Sequence, residues 1–381
     1  MRVLHVSPYF PPAFRYGGPP ASVLGLCKGL QRAGVDVEVV TTTANGDAAL
    51  PAAPNGTQYD GVPVRYAGAS FPRRFFGARV RTPLAEALAH ADVCHIHGLW
   101  NVPEWWASHL ARGRHVPYVI SPRGMLQPAA MRRGRFRKAV AYRLLESRNL
   151  RRASMLHATS DQEADALRAL ALDVPIAVVP NGVDLAAADA ARRGYRARLG
   201  IPADAFVVLF LGRLHRIKRL DLLADAFAAA RAERPALHLV IAGPDEHRLV
   251  PGIRARLAAH AEAMHAIGAV ESAEKWALLK DADVSVQCSD SESFGLAVVE
   301  SLAAGVPVIA TRTCPWRVIE IEGCGRWVDQ SAGAIAAAIR ELADDPARRT
   351  AMGQRAAALA RARYGWDAIA RAMTQLYASV H

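Results

Sequence analysis

Two carboxylates lie close together near the end of the chain, separated by seven residues that are mostly apolar. Glu292 stands in a polar segment just before a predicted helix, and Glu300 lies about one and a half turns inside that helix, among apolar neighbours. A buried carboxylate without a partner is costly, so Glu300 either points sideways into water or is satisfied by a ligand rich in hydroxyl groups. The amides of Phe294, Gly295 and Leu296 at the same helix end form a ready site for an anion. Carboxylates that can bind hydroxyl groups, next to amides that can bind a phosphate, predict a nucleotide-sugar site.

The stretch that must position these carboxylates reads as strand, loop, helix and strand. Val284 and Val286 mark the first strand, and the apolar helix follows the polar loop. Gly305 suits the position just past the helix end, and residues 306–309 have the composition of another buried strand. This succession builds parallel sheets, and two strand–helix halves of comparable size follow one another along the chain. The sequence therefore predicts an α/β fold.

Length and composition indicate a globular protein of two domains. The chain has 381 residues, too many for one typical core, with 51% hydrophobic and 22% charged residues. No apolar run approaches the ~20 residues of a membrane span, and residues 1–6 read directly as a strand rather than as a signal peptide. The five cysteines are scattered without metal-ligand spacing. Reduced thiols in a cytosolic protein are expected.

The net charge of +12 belongs mainly to the first half of the chain. Residues 1–182 hold 22 Lys and Arg against 12 Asp and Glu, whereas residues 183–381 are nearly balanced. Residues 71–81 interleave cations with Phe75 and Phe76, and residues 131–152 carry nine basic residues against one Glu. This pattern favours contact with an anionic membrane surface, with a merely solvated helix face as the alternative. No nucleic-acid-binding motif accompanies the charge, so nucleic acid is not predicted as a partner.

The carboxylate segment also carries a family resemblance. Glu292 and Glu300, with Ser293-Phe294-Gly295 between them, resemble the E-x7-E motif of the retaining glycosyltransferases of family GT4. The resemblance covers essentially the whole chain and implies the GT-B fold, in which two Rossmann-like domains face a cleft. It divides the chain into an acceptor-binding domain, residues 1–181 with 365–381 crossing back, and a nucleotide-sugar-binding domain, residues 182–364.

Glycines and cations at two strand–helix junctions predict contacts with a diphosphate. Arg213 and Lys218 flank the loop between a strand and the start of a helix, where two cations can clasp a diphosphate. The family's diphosphate-binding Arg and Lys fall on these two positions. Gly17-Gly18 follow the first strand without a dinucleotide-binding fingerprint and precede a helical pattern that runs Ser22–Gln31. They match the glycine pair that contacts the donor in GT4 enzymes.

Three polar residues in the first half are further candidates. His95 and His97 lie two apart on a strand and point the same way, which allows a metal pair. No third ligand lies nearby in the sequence, so no metal is predicted, and one histidine is expected to pack in the core. The resemblance places His97 at the mouth of the cleft, near the transferred sugar. Many GT4 relatives have His-Gly where this chain has Arg123-Gly124, so the permanent cation of Arg123 either takes the role of that histidine or holds a phosphate or an acidic acceptor.

Other motifs receive structural or partial assignments. Val270 stands where the backbone of GT4 enzymes holds the edge of the nucleobase, and the residues around it leave the base undetermined. Asp281 and Asp283 resemble the metal-binding D-x-D of other transferases, but they sit at a helix end entering a strand and are read as structural. Three tryptophans, at positions 100, 105 and 106, belong either to the core or to a platform for a sugar acceptor.

The resemblance implies a metal-independent transfer without any cofactor. Arg213, Lys218 and Gly18 would stabilise the departing diphosphate. Glu292 would orient sugar hydroxyls and Glu300 would hold the ribose, while a saccharide, expected to be lipid-linked in envelope or exopolysaccharide assembly, accepts the sugar. Two rivals stay open: a GT-B sugar-nucleotide epimerase or phosphorylase, and a catalytically silent sugar-binding protein at a membrane surface.

Overall fold

The computed structural model describes residues 1–46, 48–50, 57–68, 78–132, 135–270 and 272–381. The chain forms two compact units: unit 1 is Met1–Gly182 with Trp366–His381, and unit 2 is Val183–Gly365. These limits lie one residue from the predicted domain boundaries. Most of the basic segment 71–81, including Phe75 and Phe76, lies outside the described residues.

Unit 1 is built on an eight-stranded sheet in the order β10-β9-β8-β7-β1-β2-β6-β5. Neighbouring strands are parallel except β5, which pairs antiparallel with β6. The central strands are apolar and buried on both faces, as parallel strands covered by helices must be. The strands of this sheet are β1 Arg2–Val6, β2 Asp36–Thr42, β5 Thr57–Tyr59, β6 Val62–Ala67, β7 Val93–His97, β8 Tyr118–Ser121, β9 Met155–Ala158 and β10 Ile176–Val178. Two short strands, β3 Ala44–Asn45 and β4 Ala48–Ala49, form a separate antiparallel pair.

The helices of unit 1 cover both faces of this sheet and include the last helix of the chain. They are α1 Gly18–Arg32, α2 Arg81–Leu88, α3 Val102–Gly113, α4 Pro128–Arg132, α5 Arg135–Ala141, α6 Ser147–Arg151, α7 Asp161–Arg168 and, at the C-terminus, the terminal helix Trp366–Ala378, with a π-helical turn at Tyr142–Glu146. Helix α1 begins four residues before the predicted Ser22, because Pro19 and Pro20 occupy its first turn, where a missing N–H costs nothing.

The terminal helix Trp366–Ala378 packs against α1 within unit 1. Ile369, Met373 and Tyr377 share one apolar cluster with residues of α1. The ring of Trp366 lies so close to Gly25 that a Cβ on that glycine would overlap it, and the same holds for Gly182. Residues 366–381 therefore complete the hydrophobic core of unit 1.

Unit 2 contains a six-stranded parallel sheet in the order β13-β12-β11-β14-β15-β16. Its strands are β11 Phe206–Leu211, β12 Leu237–Ala242, β13 Met264–Gly268, β14 Val284–Gln287, β15 Val308–Thr311 and β16 Gly325–Val328. Its helices are α8 Leu185–Ala190, α9 Tyr195–Arg198, α10 Leu220–Glu233, α11 Val250–Arg256, α12 Ser272–Asp281, α13 Leu296–Ala303, α14 Val318–Ile321, α15 Ala332–Asp344 and α16 Pro346–Arg363. The α/β class is confirmed in both units, and β14, α13 and β15 form the predicted strand–helix–strand segment.

Candidate functional site

Glu292 and Lys218 form an ion pair in unit 2. Lys218 lies in the loop after β11 and Glu292 in the loop after β14, and these two strands are neighbours in the sheet. The Lys218 ammonium donates to Glu292 Oε1, which also accepts a hydrogen bond from Ser289 Oγ at 2.8 Å. The two side chains are only 20% and 12% exposed, so the pair is partly withdrawn from water. Two residues predicted separately, one for phosphate and one for sugar, are thus brought into direct contact.

Glu300 also has a lysine partner, which the sequence did not reveal. Lys275, in the first turn of α12, places its Nζ 2.6 Å from Glu300 Oε1. The ammonium also lies 5.1 Å from the centre of the Trp276 ring, in cation–π geometry. The prediction that only a ligand or water could satisfy Glu300 therefore needs correction. The signal that could have predicted this contact was Lys275 itself, a cation in the first turn of the helix that follows β13.

The start of α13 is anchored by aromatic side chains. Phe294 is buried against Trp316 and Tyr364, and its carbonyl accepts a hydrogen bond from the Trp316 indole N–H. Gly295 caps the helix with φ of 88°, a conformation that disfavours any residue with a side chain. Leu296 is the first helical residue. The loop through Ser293 is thereby held in a fixed position between Glu292 and the helix.

The remaining predicted donor residues of unit 2 lie in loops that follow the strands. Arg213, after β11, places Nη1 3.4 Å from Glu246 Oε2, a partner that the sequence did not indicate. Both side chains are more than a third exposed, so this is a weak surface contact. Val270 is half-buried in the segment between β13 and α12. Gln287, at the end of β14, donates a hydrogen bond from its side-chain Nε2 to Leu211 O of β11 at 3.1 Å.

The two aspartates of the D-x-D motif are engaged in structural contacts. Asp281 Oδ2 accepts hydrogen bonds from the first amides of α9, including Gly194 N at 2.8 Å and Arg196 N at 3.1 Å. Asp283 accepts from Val207 N and pairs with the Arg196 guanidinium. Both carboxylates therefore fix α9 and β11, in agreement with the structural reading.

In unit 1 the predicted glycine pair opens helix α1. Gly17 is the residue before the helix, with φ of 80°, and its N–H donates to Phe14 O at 2.9 Å. Gly18 is the first helical residue, and Pro19 and Pro20 follow it. Because proline lacks an N–H, Gly18 supplies the single amide among the first three helical positions. This helix end is thus a weaker anion site than the sequence suggested.

Four histidines form a connected cluster at the centre of the unit 1 sheet. His5, His95, His97 and His157 lie on β1, β7 and β9 and are all at most 3% exposed. His5 and His95 share one register position on adjacent strands, and the rings of His5 and His97 are stacked with centroids 5.3 Å apart. The expectation that no third imidazole lies near His95 and His97 is therefore wrong. Parallel register, which the sequence does not display, brings His5 to them.

Hydrogen bonds define the proton positions in one branch of this cluster. His157 Nε2 donates to Val179 O at 2.7 Å, so its Nδ1 accepts from Ser121 Oγ at 2.6 Å. Ser121 Oγ in turn accepts from His95 Nε2 at 2.6 Å, and His95 Nδ1 accepts from the Tyr377 hydroxyl at 2.6 Å. A backbone carbonyl at one end thus sets the tautomer of both imidazoles.

Arg123 sets the tautomers of the second branch. Its Nη2 donates to His97 Nδ1 at 2.9 Å and its Nη1 donates to Asn181 Oδ1 at 2.6 Å. The proton of His97 therefore lies on Nε2, which donates to His5 Nδ1 at 3.0 Å. The remaining N–H of His5, on Nε2, is buried without a partner.

Burial keeps all four imidazoles neutral. Removal from water lowers the pKa of His5 and of His157 to about 3, and the positive charge of Arg123 acts in the same direction. The pKa values of His95 and His97 are likewise lowered, first by burial and then by neighbouring charges. The lone pairs of the four rings accept hydrogen bonds within the cluster, and a guanidinium adjoins it, so these residues do not fit a cation site. The prediction of no metal stays a prediction.

Two buried carboxyl groups, Glu104 of α3 and Glu146 of the π-helical turn, lie at the tryptophan segment after β7. Trp100 has φ of 74°, and its amide donates to Glu146 Oε1 at 3.0 Å. Burial raises the pKa of Glu104 to about 8, and its Oε1 accepts from Asn101 Nδ2 at 2.8 Å. Trp105 and Trp106, in contrast, are half-exposed on α3. Trp100 thus belongs to a buried polar loop, while the other two remain candidates for a platform.

Two family models match the chain, one in each unit. Residues 17–182 match the glycosyl transferase 4-like domain, and residues 191–359 match the glycosyl transferases group 1. A D-inositol 3-phosphate glycosyltransferase of Kineococcus radiotolerans is 32% identical, with 98% of this chain and 93% of the relative aligned. A second such protein, from Catenulispora acidiphila, is 30% identical over 98% of this chain and 93% of its own length.

Solved structures share the fold over the full chain. The Anabaena protein HepE in complex with UDP and glucose superposes with a TM-score of 0.77 at 18% identity, covering 100% of both chains. Sucrose-phosphate synthase from Thermosynechococcus elongatus gives a TM-score of 0.76 at 22% identity, covering 100% of this chain and 99% of the other. WaaG, a glycosyltransferase involved in lipopolysaccharide biosynthesis, gives 0.73 at 17%, with 98% of each chain covered.

Proposed function

Since this chain belongs to the GT4 family of GT-B glycosyltransferases, we propose that it is a retaining enzyme that moves a sugar from a nucleotide-diphosphate donor to a saccharide acceptor. The observation that carries this proposal is the pair of lysine–glutamate contacts in unit 2. Lys218 with Glu292, and Lys275 with Glu300, place two cations and two carboxylates on the loops and helix starts that follow the strands. Such a set matches a ligand with an anionic diphosphate and several hydroxyl groups.

The ion pair between Lys218 and Glu292 suggests how the donor is received. The diphosphate draws the ammonium of Lys218 away from Glu292, which leaves the carboxylate to accept hydrogen bonds from sugar hydroxyls. When the bond between the anomeric carbon and the diphosphate oxygen breaks, negative charge grows on the leaving group. Lys218 and Arg213 stabilise that charge. The acceptor oxygen bonds to the anomeric carbon on the same face, and its proton passes to the leaving phosphate.

Glu300 is proposed to hold the ribose of the donor. Its Oε1 is taken by Lys275, so Oε2 is left to accept from ribose hydroxyls. We infer a uridine nucleotide as the first donor to test, because the HepE structure contains UDP and glucose. The relatives named for D-inositol 3-phosphate support a small polyol or saccharide acceptor, and the earlier expectation of a lipid-linked envelope acceptor is kept as a second candidate.

A membrane contact is proposed for the segment from α5 to α6 in unit 1. Phe136, Val140 and Leu145 are 82%, 42% and 48% exposed. The spacing of four and then five positions keeps them on one side, because the second interval passes through the π-helical turn, which holds an extra residue. Exposed cations accompany them at 143, 148, 151 and 152. An apolar strip beside cations fits the inner face of an anionic membrane, where a cytoplasmic enzyme would meet a lipid-linked acceptor.

None of the described helices is both long and apolar enough to cross a membrane. The surface contact is tested by flotation of the full chain with vesicles of phosphatidylglycerol or of phosphatidylcholine. Binding to the anionic vesicles should fall when Phe136 is replaced by Ser. Equal flotation with both lipids would contradict the proposal.

The transferase reaction is tested with the purified chain and glucose donors carrying UDP, GDP, ADP or dTDP. One donor should raise the melting temperature and be hydrolysed slowly, and a suitable saccharide should accelerate its consumption. The anomeric configuration of the product, read by NMR, should match that of the donor. Conversion of the donor to an isomer without any acceptor would instead identify an epimerase. Binding without turnover under any condition would favour the silent sugar-binding protein.

A further inference from the structure

The geometry of unit 1 points to an oxyanion site at Arg123, and we propose that this residue binds a phosphate-type group carried by a substrate. Arg123 lies directly after β8, at the carboxyl end of the sheet, where ligands bind in folds of this kind. This inference depends on the proposed function only where it assigns the phosphate to the donor or to the acceptor. The binding itself involves residues of unit 1 alone.

Arg123 carries a charge that no carboxylate of the described residues pairs with directly. Its guanidinium donates to the neutral side chains of Asn181 and His97. Among the described residues no Asp or Glu forms an ion pair with it, although the charge of Glu163 is felt at a longer distance. Glu163 is committed elsewhere, because its oxygens accept from Gly124 N, Thr159 N and Thr159 Oγ1. A largely buried guanidinium without a carboxylate is the arrangement expected of an anion receptor.

The surroundings of Arg123 do not supply the missing charge. The four nearby histidines are neutral, and besides Glu163 the groups that influence the guanidinium are the hydroxyls of Tyr9 and Tyr377 and the thiol of Cys27. Burial lowers the pKa of the guanidinium, which shows that the site disfavours a cation left without a partner. An arriving oxyanion would reverse that penalty.

One donor of Arg123 is left over inside the protein. Its Nε is buried and has no hydrogen-bond partner, whereas a buried N–H almost always finds an acceptor. Nearby, the Nε2–H of fully buried His5 is also without a partner. The backbone of Arg123 has φ of 55°, which is uncommon for a residue with a side chain and is typical of functional loops. The side chain thus combines an uncompensated charge, an unused donor and a strained backbone.

A guanidinium is suited to phosphate because its planar fork offers two parallel N–H groups to two oxygens. The phosphate could belong to the diphosphate of the donor or to a phosphorylated acceptor. The chemistry of recognition is the same in both cases, and the experiment distinguishes the two sources.

The test measures binding of inorganic phosphate by isothermal titration calorimetry at constant ionic strength, with chloride as the balancing anion. The full chain carries Arg213→Gln and Lys218→Gln, so that the proposed donor residues do not contribute. This chain should bind phosphate, and adding Arg123→Gln should weaken the affinity at least tenfold. Arg123→Lys should lose less, because it keeps the charge and loses the fork. Equal affinity with and without Arg123, or no binding in the parent chain, would overturn the proposal.

Circular dichroism of each variant checks the fold. If Arg123→Gln does not fold, Arg123→His takes its place in the same titration. A second arm follows donor hydrolysis without acceptor in the otherwise native chain. An increase in the donor KM on Arg123→Gln assigns the phosphate to the donor, whereas unchanged hydrolysis with loss of transfer to a phosphorylated acceptor assigns it to the acceptor. Phosphate binding without any donor hydrolysis in the native chain would contradict the proposed function and leave the site intact.

Discussion

The two units handle buried charge in opposite ways. In unit 2 the residues proposed to bind the donor are paired, Lys218 with Glu292 and Lys275 with Glu300. In unit 1 the polar centre consists of histidines that burial keeps neutral, beside a guanidinium with which none of the described carboxylates forms an ion pair. A buried ion pair can exchange one partner for a ligand at a small cost in free energy. A buried cation without a carboxylate is unfavourable until an anion binds to it. On binding, the lysines of unit 2 would exchange a glutamate partner for the ligand, whereas Arg123 of unit 1 would gain an anionic partner.

The largest expected effect is a loss of stability in unit 1 under mild acid. Unfolded histidines bind protons below pH 6.5, and the native ones do not because burial lowers their pKa values. The unfolded state therefore gains protons as the pH falls, and stability is lost from about pH 6.5 downwards. Between pH 7 and pH 5.5 the four residues together should reduce the free energy of unfolding by on the order of 5 kcal/mol.

Hydrogen exchange measured by mass spectrometry at several pH values checks this, because it reports each unit separately. Amides of β1, β7 and β9 should lose protection before those of β11 and β14. Replacing His157 by Gln should reduce the pH dependence, and replacing the exposed His90 by Gln is the matched control. Simultaneous loss of protection in both units would contradict the prediction that acid destabilises unit 1 before unit 2.

The second effect concerns catalysis in unit 2. Glu292→Gln and Lys218→Met should each lower kcat about 10²–10³-fold, equivalent to ~3–4 kcal/mol. Lys218→Met removes a cation that stabilises the departing charge, and Glu292→Gln removes the carboxylate that orients the sugar hydroxyls. Since Gln keeps the shape and the contact with Ser289, the free energy of unfolding of the Glu292→Gln chain should fall by only about 1 kcal/mol.

The matched control for this prediction is Asp344→Asn, which breaks the exposed pair with Arg234 on the same unit. That change should leave kcat unaltered and stability within ~1 kcal/mol. Normal turnover in either active-site variant would remove Lys218 and Glu292 from the mechanism.

The smallest effect is expected at Arg213. Its contact with Glu246 is long and more than a third exposed, so Glu246→Gln should change the free energy of unfolding by less than ~1 kcal/mol. Freed from this competitor, Arg213 should lower the KM for the donor by roughly twofold to fivefold. Steady-state kinetics at two salt concentrations measures it. A rise in KM would show that Glu246 itself contacts the donor.

Most of the fold was readable because apolar runs and their breaks are local signals. Strand β14, helix α13 and strand β15 lie where the strand, loop, helix and strand of the carboxylate segment were predicted. The early start of α1 was missed because a Pro-Pro pair reads as a loop, although proline is well tolerated in the first turn of a helix. The α/β class followed from the same patterns, whereas two domains were expected from the chain length and their boundaries from the family resemblance.

The site was predicted as single residues and not as contacts. Lys218 and Glu292 were both identified, yet their pairing depends on the order β11-β14, which no local pattern displays. Lys275, Glu246 and His5 were missed for the same reason, since each becomes relevant only through a neighbour distant in sequence. Motif spacing thus revealed which side chains carry chemistry, while strand order and register determined what they touch.

The placement of the terminal helix has a consequence for biosynthesis. Tyr377 supplies the hydroxyl that His95 accepts, and Trp366 fills the space left by Gly25 and Gly182. Translation delivers residues 1–182 before unit 2, but these partners emerge from the ribosome only after all of unit 2. The half that is synthesised earlier is therefore the half that finishes folding later. A chain stopped anywhere before residue 366 would carry an open apolar groove along α1, which marks it for aggregation or degradation.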